Sequence, residues 1–272
     1  LNSSFRDTFN GSDYVRLDNV LETDGSGYSI NLGAFFRPID ELRLGVAYNS
    51  PKWYKMTDYA SATGESYSSA DTKNPTMRSS TPQDKAAYNY SFRSPDRWIF
   101  SVASVIGRMA LLSLDYELTN YRNMRLGNRD EDTYYSDITQ QVERDFKAGQ
   151  TLKMGAEVRV TPQFSLRGGY VWQASPMQGR LTEGGEIFTS GTVTHYATVG
   201  TTNMYTVGLG YRFTPSIYMD LACIYRTQQE QLHPFSDIPI SDASRHLSPL
   251  TADVAKVDLR TTRLALTFGY RF

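Results

Sequence analysis

The sequence predicts an all-β fold, namely a transmembrane antiparallel β-barrel. Apolar residues alternate with polar or small ones along segments of about ten residues, short connections alternate with long ones, and aromatic residues gather at both ends of the apolar faces. The mean hydropathy is −0.46, and the absence of any run of about 18 apolar residues excludes a transmembrane helix. A barrel is compatible with these values because its lumen-facing side chains are polar.

The C-terminal segment shows the alternation most clearly. Leu264, Leu266, Phe268, Tyr270 and Phe272 alternate there with Arg, Ala, Thr and Gly residues. Side chains of a strand point in turn to its two faces, so one face of this segment is apolar and the other is polar or small. The same pattern predicts nine strands, at residues 27–37, 42–58, 86–106, 109–121, 148–160, 164–174, 203–213, 216–228 and 257–272.

The connections between these segments alternate in length. Short connections with turn residues lie at 37–41, 107–108, 161–163 and 214–216. Long ones, rich in Ser, Thr, Asp, Gly and Tyr, span 60–85, 122–147, 175–202 and 229–255. Short turns at one rim and long loops at the other are typical of bacterial outer-membrane barrels, whose short turns face the periplasm. The sequence therefore predicts a location in the bacterial outer membrane.

Residues 86–106 are the ambiguous segment. Ser94-Pro95-Asp96 resembles a turn between two strands, yet two strands here would place the 122–147 loop on the short-turn rim. We therefore predict one long strand, with Pro95 at a bulge or beyond the sheet edge, where a missing N–H is tolerated. Nine strands are an odd number, whereas bacterial single-chain barrels have an even number. We expect the chain to be the C-terminal portion of a longer barrel, unless residues 1–18 hold one irregular strand.

Aromatic residues support the membrane assignment. On the outward faces, one group falls near the long-loop ends of the strands and a second group falls near the short-turn ends. Two such girdles normally bracket the apolar band of a barrel. The first group is Tyr28, Tyr48, Tyr116, Trp172, Tyr205 and Tyr225, and the second is Phe36, Tyr211, Phe213, Tyr270 and Phe272.

The 122–147 loop has a local pattern of its own. Ile138, Val142 and Phe146 recur every four residues after Ser136, which is a favourable residue for a helix N-cap. A short helix that shapes the outer mouth and an extension of the following strand both agree with this spacing.

Composition excludes several classes of function. Lys and Arg number 28 against 29 Asp and Glu, so no global field attracts nucleic acid. The single cysteine, Cys223, cannot form an internal disulfide, and the acidic stretch 128–132 lacks the spacing of a calcium loop. His195, His233 and His246 fall in predicted long loops, and no catalytic motif is present. We predict no enzyme activity, no cofactor and no metal site.

Several stretches carry a resemblance to a known family. They are 27–33 with Phe36-Arg37-Pro38, 42–51, Ser94-Pro95-Asp96-Arg97-Trp98, Leu114-Asp115-Tyr116-Glu117, 208–213 and 266–272. In order and spacing the chain resembles the FadL/TodX outer-membrane transporters of hydrophobic compounds, in a Bacteroidetes-like form. The resemblance implies a fourteen-stranded barrel with an N-terminal plug, of which this chain holds the C-terminal portion. The terminal Tyr270-Arg271-Phe272 also resembles the signal read by the outer-membrane assembly machinery.

Arginine dominates the predicted inward faces. The inward cations are Arg37, Arg43, Arg93, Lys153, Arg159, Arg167, Arg212, Arg226, Arg263 and Arg271, and the inward anions are Asp115, Glu117, Glu157 and Asp220. These arginines either form pairs with wall or plug carboxylates or select acidic solutes. The candidate substrate-binding residues, chosen away from the periplasmic turns, are Arg93, Arg167, Arg212, Arg226 and Arg263.

The leading functional prediction is passive uptake of hydrophobic or amphipathic small molecules, such as long-chain fatty acids. The expected partners are such a ligand, the lipid bilayer and the assembly machinery. Two alternatives stay open: a secretion or assembly subunit that uses the barrel as an anchor, and a general porin.

Overall fold

The computed structural model describes residues 2–9, 13–70, 73, 75–80, 86–107, 109–131, 133–179, 195–234 and 253–271. The strands are β1 (Asn2–Phe9), β2 (Asp13–Tyr28), β3 (Asn31–Ile39), β4 (Leu42–Asn49), β5 (Trp53–Tyr67), β6 (Thr76–Ser80), β7 (Ala86–Arg93), β8 (Arg97–Ile106), β9 (Ala110–Asn120), β10 (Arg125–Asn128), β11 (Thr133–Tyr134), β12 (Ala148–Arg159), β13 (Phe164–Gln173), β14 (Tyr196–Arg212), β15 (Ile217–His233) and β16 (Ala255–Tyr270). A 3₁₀ turn covers Tyr121–Asn123, and α1 covers Ser136–Asp145.

The strands form two antiparallel sheets. The nine-stranded sheet has the order β16-β15-β14-β13-β12-β9-β8-β4-β3, so each strand lies beside its neighbour in the barrel sequence. The seven-stranded sheet has the order β1-β2-β5-β7-β10-β11, with β6 paired to β5. It continues four strands of the first sheet beyond their long-loop ends.

The outward face of the nine-stranded sheet is apolar row by row. One row joins Val207 of β14, Cys223 of β15 and Leu264 of β16, and the next joins Leu209, Leu221 and Leu266. Leu264 is 74% exposed and Phe268 is 70% exposed, so no described part of the protein covers this face. A large exposed apolar band of this kind fits lipid as its neighbour.

Aromatic side chains pack against one another at both ends of this band. Between ring centroids, Tyr48 lies 4.6 Å from Trp98 at the long-loop end, and Tyr211 lies 4.9 Å from Phe213 at the short-turn end. Tyr28 ends β2 of the seven-stranded sheet, is exposed, and stacks on Trp53 at the long-loop end of the band. Phe272 lies outside the described residues.

The two sheets meet along a seam, which we define as residues 29–30, 50–52, 94–96 and 121–124. Each of four neighbouring strands loses its regular pairing there. Tyr28 pairs with Trp53 but Asn31 pairs with Asn49, so the 50–52 side carries one extra residue. An extra residue acts as a bulge and reverses which face the following side chains occupy. The reversal therefore falls between Asn49 and Trp53, within the predicted strand 42–58, and the alternation through 27–37 is unaffected.

Serine hydroxyls replace the missing ladder bonds at the seam. Ser50 Oγ accepts a hydrogen bond from the Ile30 N–H at 2.8 Å, and Ser94 Oγ accepts one from the Lys52 N–H at 2.9 Å. Each serine is followed by a proline that has no N–H to donate. The backbone is thus satisfied across the break by side chains.

The segment Ser94-Pro95-Asp96 does not form a hairpin turn. β7 pairs with β5, and β8 pairs with β4, so the two halves do not pair with each other. Trp53 lies opposite Arg93, and Asn49 lies opposite Arg97. Three residues therefore separate the paired positions on both strands, 50–52 on one and 94–96 on the other, and the register is the same before and after the break.

Several predicted loops contain regular structure. β2 begins at Asp13, β5 continues to Tyr67, β14 begins at Tyr196, and β15 continues to His233, which is therefore a buried strand residue rather than a loop residue. The 122–147 loop contains β10, β11 and α1, so its four-residue spacing is helical. His195 lies just before β14, and His246 lies outside the described residues. These extensions lie beyond the apolar band, so their side chains need no apolar face, and the alternation that predicts strands is lost.

One continuous crossing by residues 86–106 makes a topological prediction. In the full-length protein in intact cells, with Cys223 replaced by Ala, a membrane-impermeant maleimide should label the Tyr88→Cys variant without permeabilisation. The Met109→Cys variant should react only after the outer membrane is opened. Both positions are more than half exposed. Labelling of both from the same side would show that the segment turns back at Pro95.

Candidate functional site: the inner face of the nine-stranded sheet

The inner face is built from small residues and scattered charges. One row joins Arg43, Ala103, Ser113, Gly155, Gly169, Thr206, Ile224 and Arg263 across eight strands. Small side chains leave room above the sheet, so the long arginine side chains are free to extend along it. The face therefore combines open space with positive charge.

Four of the five candidate arginines lie on this face. Arg226 of β15 is the nearest to the long-loop end, and Arg263 of β16 lies one row lower, opposite Ile224. Arg167 lies in the next row, opposite Gly208, and Arg212 lies two rows below it, opposite Tyr218. Neighbouring rows are about 6.8 Å apart along a strand. The four arginines thus descend the inner face in steps.

Arg93 is not part of this series. It ends β7 in the seven-stranded sheet and lies opposite Arg125, whose guanidinium donates to Glu143 of α1 at 2.6 Å. The Arg93 Nε atom is buried and has no hydrogen-bond partner among the described residues. The structure separates Arg93 from the other candidates.

Arg167 is held by two carboxylates. Its Nε donates to Glu157 of β12 at 3.1 Å, and its Nη1 donates to Asp220 of β15. The bond to Asp220 passes over β14, the strand that lies between them. The arrangement links three strands of the wall, and we call it the Arg167 brace. It favours the wall-pairing alternative for this residue over substrate binding.

Two glycines of β14 make room for the Arg167 brace. A Cβ atom at Gly210 would lie 2.8 Å from Asp220 Oδ1 and 3.3 Å from both terminal nitrogens of Arg167. A Cβ atom at Gly208 would lie 3.4 Å from Arg167 Cβ. In Gly208-Leu209-Gly210, Leu209 therefore faces lipid, and the two glycines face the Arg167 brace on the other side of the strand.

A second charged group lies closer to the seam. Lys153 donates to Glu117 at 2.5 Å, and Arg97 lies 3.9 Å from the same carboxylate. Glu117 is the less exposed member, at 13% of its side chain. A carboxylate shared by two cations is satisfied in the wall and offers no free site.

The remaining candidates, Arg226, Arg212 and Arg263, are not held by carboxylates as Arg167 is. Arg226 donates to the Gln228 side chain, which in turn donates to Glu230 at 2.5 Å. Neither Arg212 nor Arg263 has an Asp or Glu oxygen within ion-pair distance among the described residues. These two arginines are the candidates whose charge is available to a solute.

The seven-stranded sheet carries an apolar groove that the sequence did not indicate. The groove, about 280 Å³ in volume, is lined by Val15, Leu17 and Met77. Beside it Glu65 accepts hydrogen bonds from Tyr14 at 2.6 Å and from Arg78 at 3.0 Å. Hydrogen bonds from Tyr14 and then Arg78 hold the pKa of the Glu65 carboxyl below its ordinary value. The groove is assembled from three separate strands, so no local sequence pattern shows it.

Within the part of the chain that the structure describes, no helix is long and apolar enough to cross a membrane. The same residues contain no group of three or more His, Cys, Asp or Glu side chains arranged to hold a metal ion.

Comparison with known families decides the assignment. Residues 7–272 match the family described as outer membrane protein transport protein (OMPP1/FadL/TodX). The chain belongs to this family. The predicted resemblance is therefore confirmed at the family level, and the FadL/TodX chain is an all-β protein of the bacterial outer membrane. The family is one of transport proteins and not of enzymes.

A solved structure is also similar to the chain. It is the crystal structure of a Pseudomonas aeruginosa FadL homologue, with 13% sequence identity and a TM-score of 0.49. The match covers 99% of this chain and 66% of that one. The FadL/TodX chain thus spans slightly less than two thirds of that homologue. No curated protein matches it.

The Arg167 brace makes a prediction about stability. Replacement of Arg167 by Gln leaves Glu157 and Asp220 without their shared cation. We expect the full-length protein to lose about 1–2 kcal/mol of unfolding free energy. The loss is no larger because water partly screens all three exposed groups. Urea titration of the protein in lipid vesicles measures this loss.

The Arg43→Gln variant is the control for this measurement. Arg43 is an inner-face arginine with no ion-pair partner among the described residues, so its replacement should change the unfolding free energy by less than about 0.5 kcal/mol. Equal stability of the Arg167→Gln variant and the parent would contradict a bracing role.

Proposed function

We propose that the FadL/TodX chain forms part of a wall through which amphipathic acids, such as long-chain fatty acids, cross the outer membrane without an energy source. The observation that carries this proposal is the descending series of inner-face arginines in which Arg212 and Arg263 have no carboxylate partner among the described residues. The family assignment supports transport of hydrophobic compounds. The acid head group is the finer part of the proposal.

The chemistry of such a cargo explains the composition of the inner face. A carboxylate that leaves water without a partner pays a large desolvation cost, and a guanidinium offsets that cost through two parallel hydrogen bonds. Arg226, Arg263 and Arg212 would receive the head group in turn. Along the strands, the step from Arg226 to Arg263 is about 7 Å and the step from Arg263 to Arg212 is about 20 Å, so the head group crosses the longer step through water. Arg167 contributes mainly to the wall, because its donors already serve Glu157 and Asp220.

The remaining partners follow from the outward face. Its apolar rows would contact lipid on nine strands. We also propose that the outer-membrane assembly machinery inserts the chain, which the alternation of 264–272 supports.

Uptake assays on the full-length protein test the cargo. In proteoliposomes, the Arg212→Gln and Arg263→Gln variants should each slow entry of laurate by about three- to tenfold, because one charge-assisted hydrogen-bonding site is lost. Entry of dodecane, which has no head group, should change less than twofold. The Arg37→Gln variant is a matched control, since Arg37 is already bound to Asp40 at 2.7 Å.

Two outcomes would count against the proposal. Equal losses for laurate and dodecane would show that these arginines maintain the wall. Unchanged laurate entry in a variant that carries both Arg212→Gln and Arg263→Gln would show that the head group crosses without these two arginines. For the Arg167→Gln variant we expect both cargoes to be affected alike, together with lower stability.

A further inference from the structure

The outward face of β14, β15 and β16 changes character at its long-loop end. One row joins Tyr205, Tyr225 and Thr262, and it closes the apolar band. The next three rows toward the long loops carry only polar side chains. These rows are Asn203, Thr227 and Arg260, then Gln229 and Asp258, then Thr198, Gln231 and Lys256. The register of β16 is unbroken along this length, so its three charged residues stay on the outward face.

A bulge in β14 opens the sheet at the level of these rows. Residues 200–201 of β14 lie opposite the single residue Gln229 of β15. A Cβ atom at Gly200 would lie 2.7 Å from the Gln229 carbonyl oxygen, so the bulge requires glycine there. The pairing of β13 with β14 ends just below the bulge. Above it, Ser175 Oγ donates to the Val199 carbonyl at 2.5 Å in place of a strand neighbour.

A cavity of about 520 Å³ lies at this bulge. Thr198 is 2% exposed, and its Oγ1 atom has no hydrogen-bond partner among the described residues. The Oε1 atom of Gln231 is likewise buried and unpartnered within that part of the chain. Buried polar atoms normally have a partner, so these two atoms indicate a ligand that supplies one. The polar lining includes Thr198, Thr201, Gln229, Gln231, Lys256 and Asp258.

This lining fits a sugar. A sugar hydroxyl both donates and accepts hydrogen bonds, and threonine hydroxyls and glutamine amides do the same. The Asp258 carboxylate adds an acceptor and the Lys256 ammonium adds a donor. Of the other charged residues in the lining, Glu230 already accepts a hydrogen bond from Gln228, and Lys147 is a further cation.

The charges beside the cavity fit phosphate or carboxylate groups on that sugar. Neither Arg260 nor Lys256 has an Asp or Glu oxygen within ion-pair distance among the described residues. Arg260 lies one row above the Tyr225 row, about 7 Å along the strand, and Lys256 lies about 20 Å above it. Asp258 lies between them and compensates one of the two charges. The stripe is thus positive at both ends.

The position of the stripe selects the partner. Above the aromatic girdle at its long-loop end, the outward face of a barrel meets the head groups of the outer leaflet. In the bacterial outer membrane these head groups belong to lipopolysaccharide and are phosphorylated oligosaccharides. The inner-face arginines lie on the other side of the wall, so a solute in the lumen does not reach the stripe.

We propose that the stripe and its cavity bind the head group of one lipopolysaccharide molecule. Arg260 binds a phosphate near the membrane surface, because its guanidinium offers two parallel donors to one anion. The cavity takes a sugar, whose hydroxyls satisfy Thr198 and Gln231. Lys256 binds an acidic group farther from the membrane. The acyl chains of the lipid then lie along the apolar rows below Tyr225.

Native mass spectrometry of the full-length protein in detergent micelles tests this site. The protein is titrated with lipopolysaccharide of the Re type, which is lipid A with two further sugars, and separately with phosphatidylglycerol. Arg260→Gln and Lys256→Gln should each raise the Kd for lipopolysaccharide by about three- to tenfold, and the double variant by more than tenfold. The Kd for phosphatidylglycerol should change less than twofold. Millimolar inorganic phosphate should leave the lipopolysaccharide bound.

Two further variants separate binding from folding. Thr198→Val keeps the shape of the side chain and removes the unpartnered hydroxyl. We expect it to raise the Kd for lipopolysaccharide by about two- to fivefold without lowering the stability of the protein. The Arg43→Gln variant is the matched control, because it removes an unpaired cation from the inner face, and it should bind lipopolysaccharide as the parent does.

Four results would overturn the proposal. The first is parental affinity in the double variant, and the second is an equal loss for both lipids, which would indicate a general anionic patch. The third is parental affinity in Thr198→Val, which would leave the cavity without a ligand. The fourth is displacement by inorganic phosphate, which would indicate a site for a free anion. Laurate uptake is a separate readout that the Arg260 and Lys256 variants should leave unchanged, so failure of the transport proposal does not affect this test.

Discussion

Backbone hydrogen bonding is the constraint on which this structure depends. In hydrocarbon every N–H and C=O needs a partner within the protein, and each unsatisfied group costs several kcal/mol. The nine-stranded sheet meets this need with ladders between all neighbouring strands, which shift register only locally, at Phe36/Ile39 and at Val199/Thr202. Because the ladder fixes the register, it also fixes which side chains meet lipid and which meet the lumen. The ladders are interrupted together only at the seam, where Ser50 and Ser94 supply hydroxyls in place of backbone groups.

The same constraint explains what the sequence can and cannot predict. Alternation identifies strands where lipid selects one face, as in β14 from Tyr205 to its end and in β16. Beyond the apolar band nothing selects a face, so β1, the first half of β2 and β10 pair through their backbones without a readable pattern. Loop parity favours a single crossing by residues 86–106, whereas local turn chemistry favours a hairpin, and β7 and β8 pair with β5 and β4 rather than with each other. Parity carries this information because the chain direction must reverse at each rim, whatever the residues between.

Site residues are harder to predict than faces. Alternation places Arg167 and Arg212 on the inner face equally well, yet only Arg167 is paired with carboxylates. Whether an arginine finds a carboxylate depends on the cross-strand register and on the size of the residue between, here Gly208 and Gly210. Neither follows from one strand alone. Arg93 shows a second limit, because the seam moves the start of the 86–106 segment into another sheet.

The contrast between the paired and unpaired arginines carries the functional argument. Arg167 shows that this wall can satisfy a guanidinium internally when two carboxylates and two glycines are placed around it. No such arrangement surrounds Arg212, although it lies on the strand that carries both of those glycines and its backbone is fixed as firmly as that of Arg159 or Arg271. A cation left unpaired on an otherwise polar wall stabilises nothing within the described residues, and its neighbours repel it. We therefore expect Arg212 to pair with an anion outside the described residues. The paired arginines of a charge ladder need no such anion. The partner of Arg212 is thus to be sought at the mouth of the lumen.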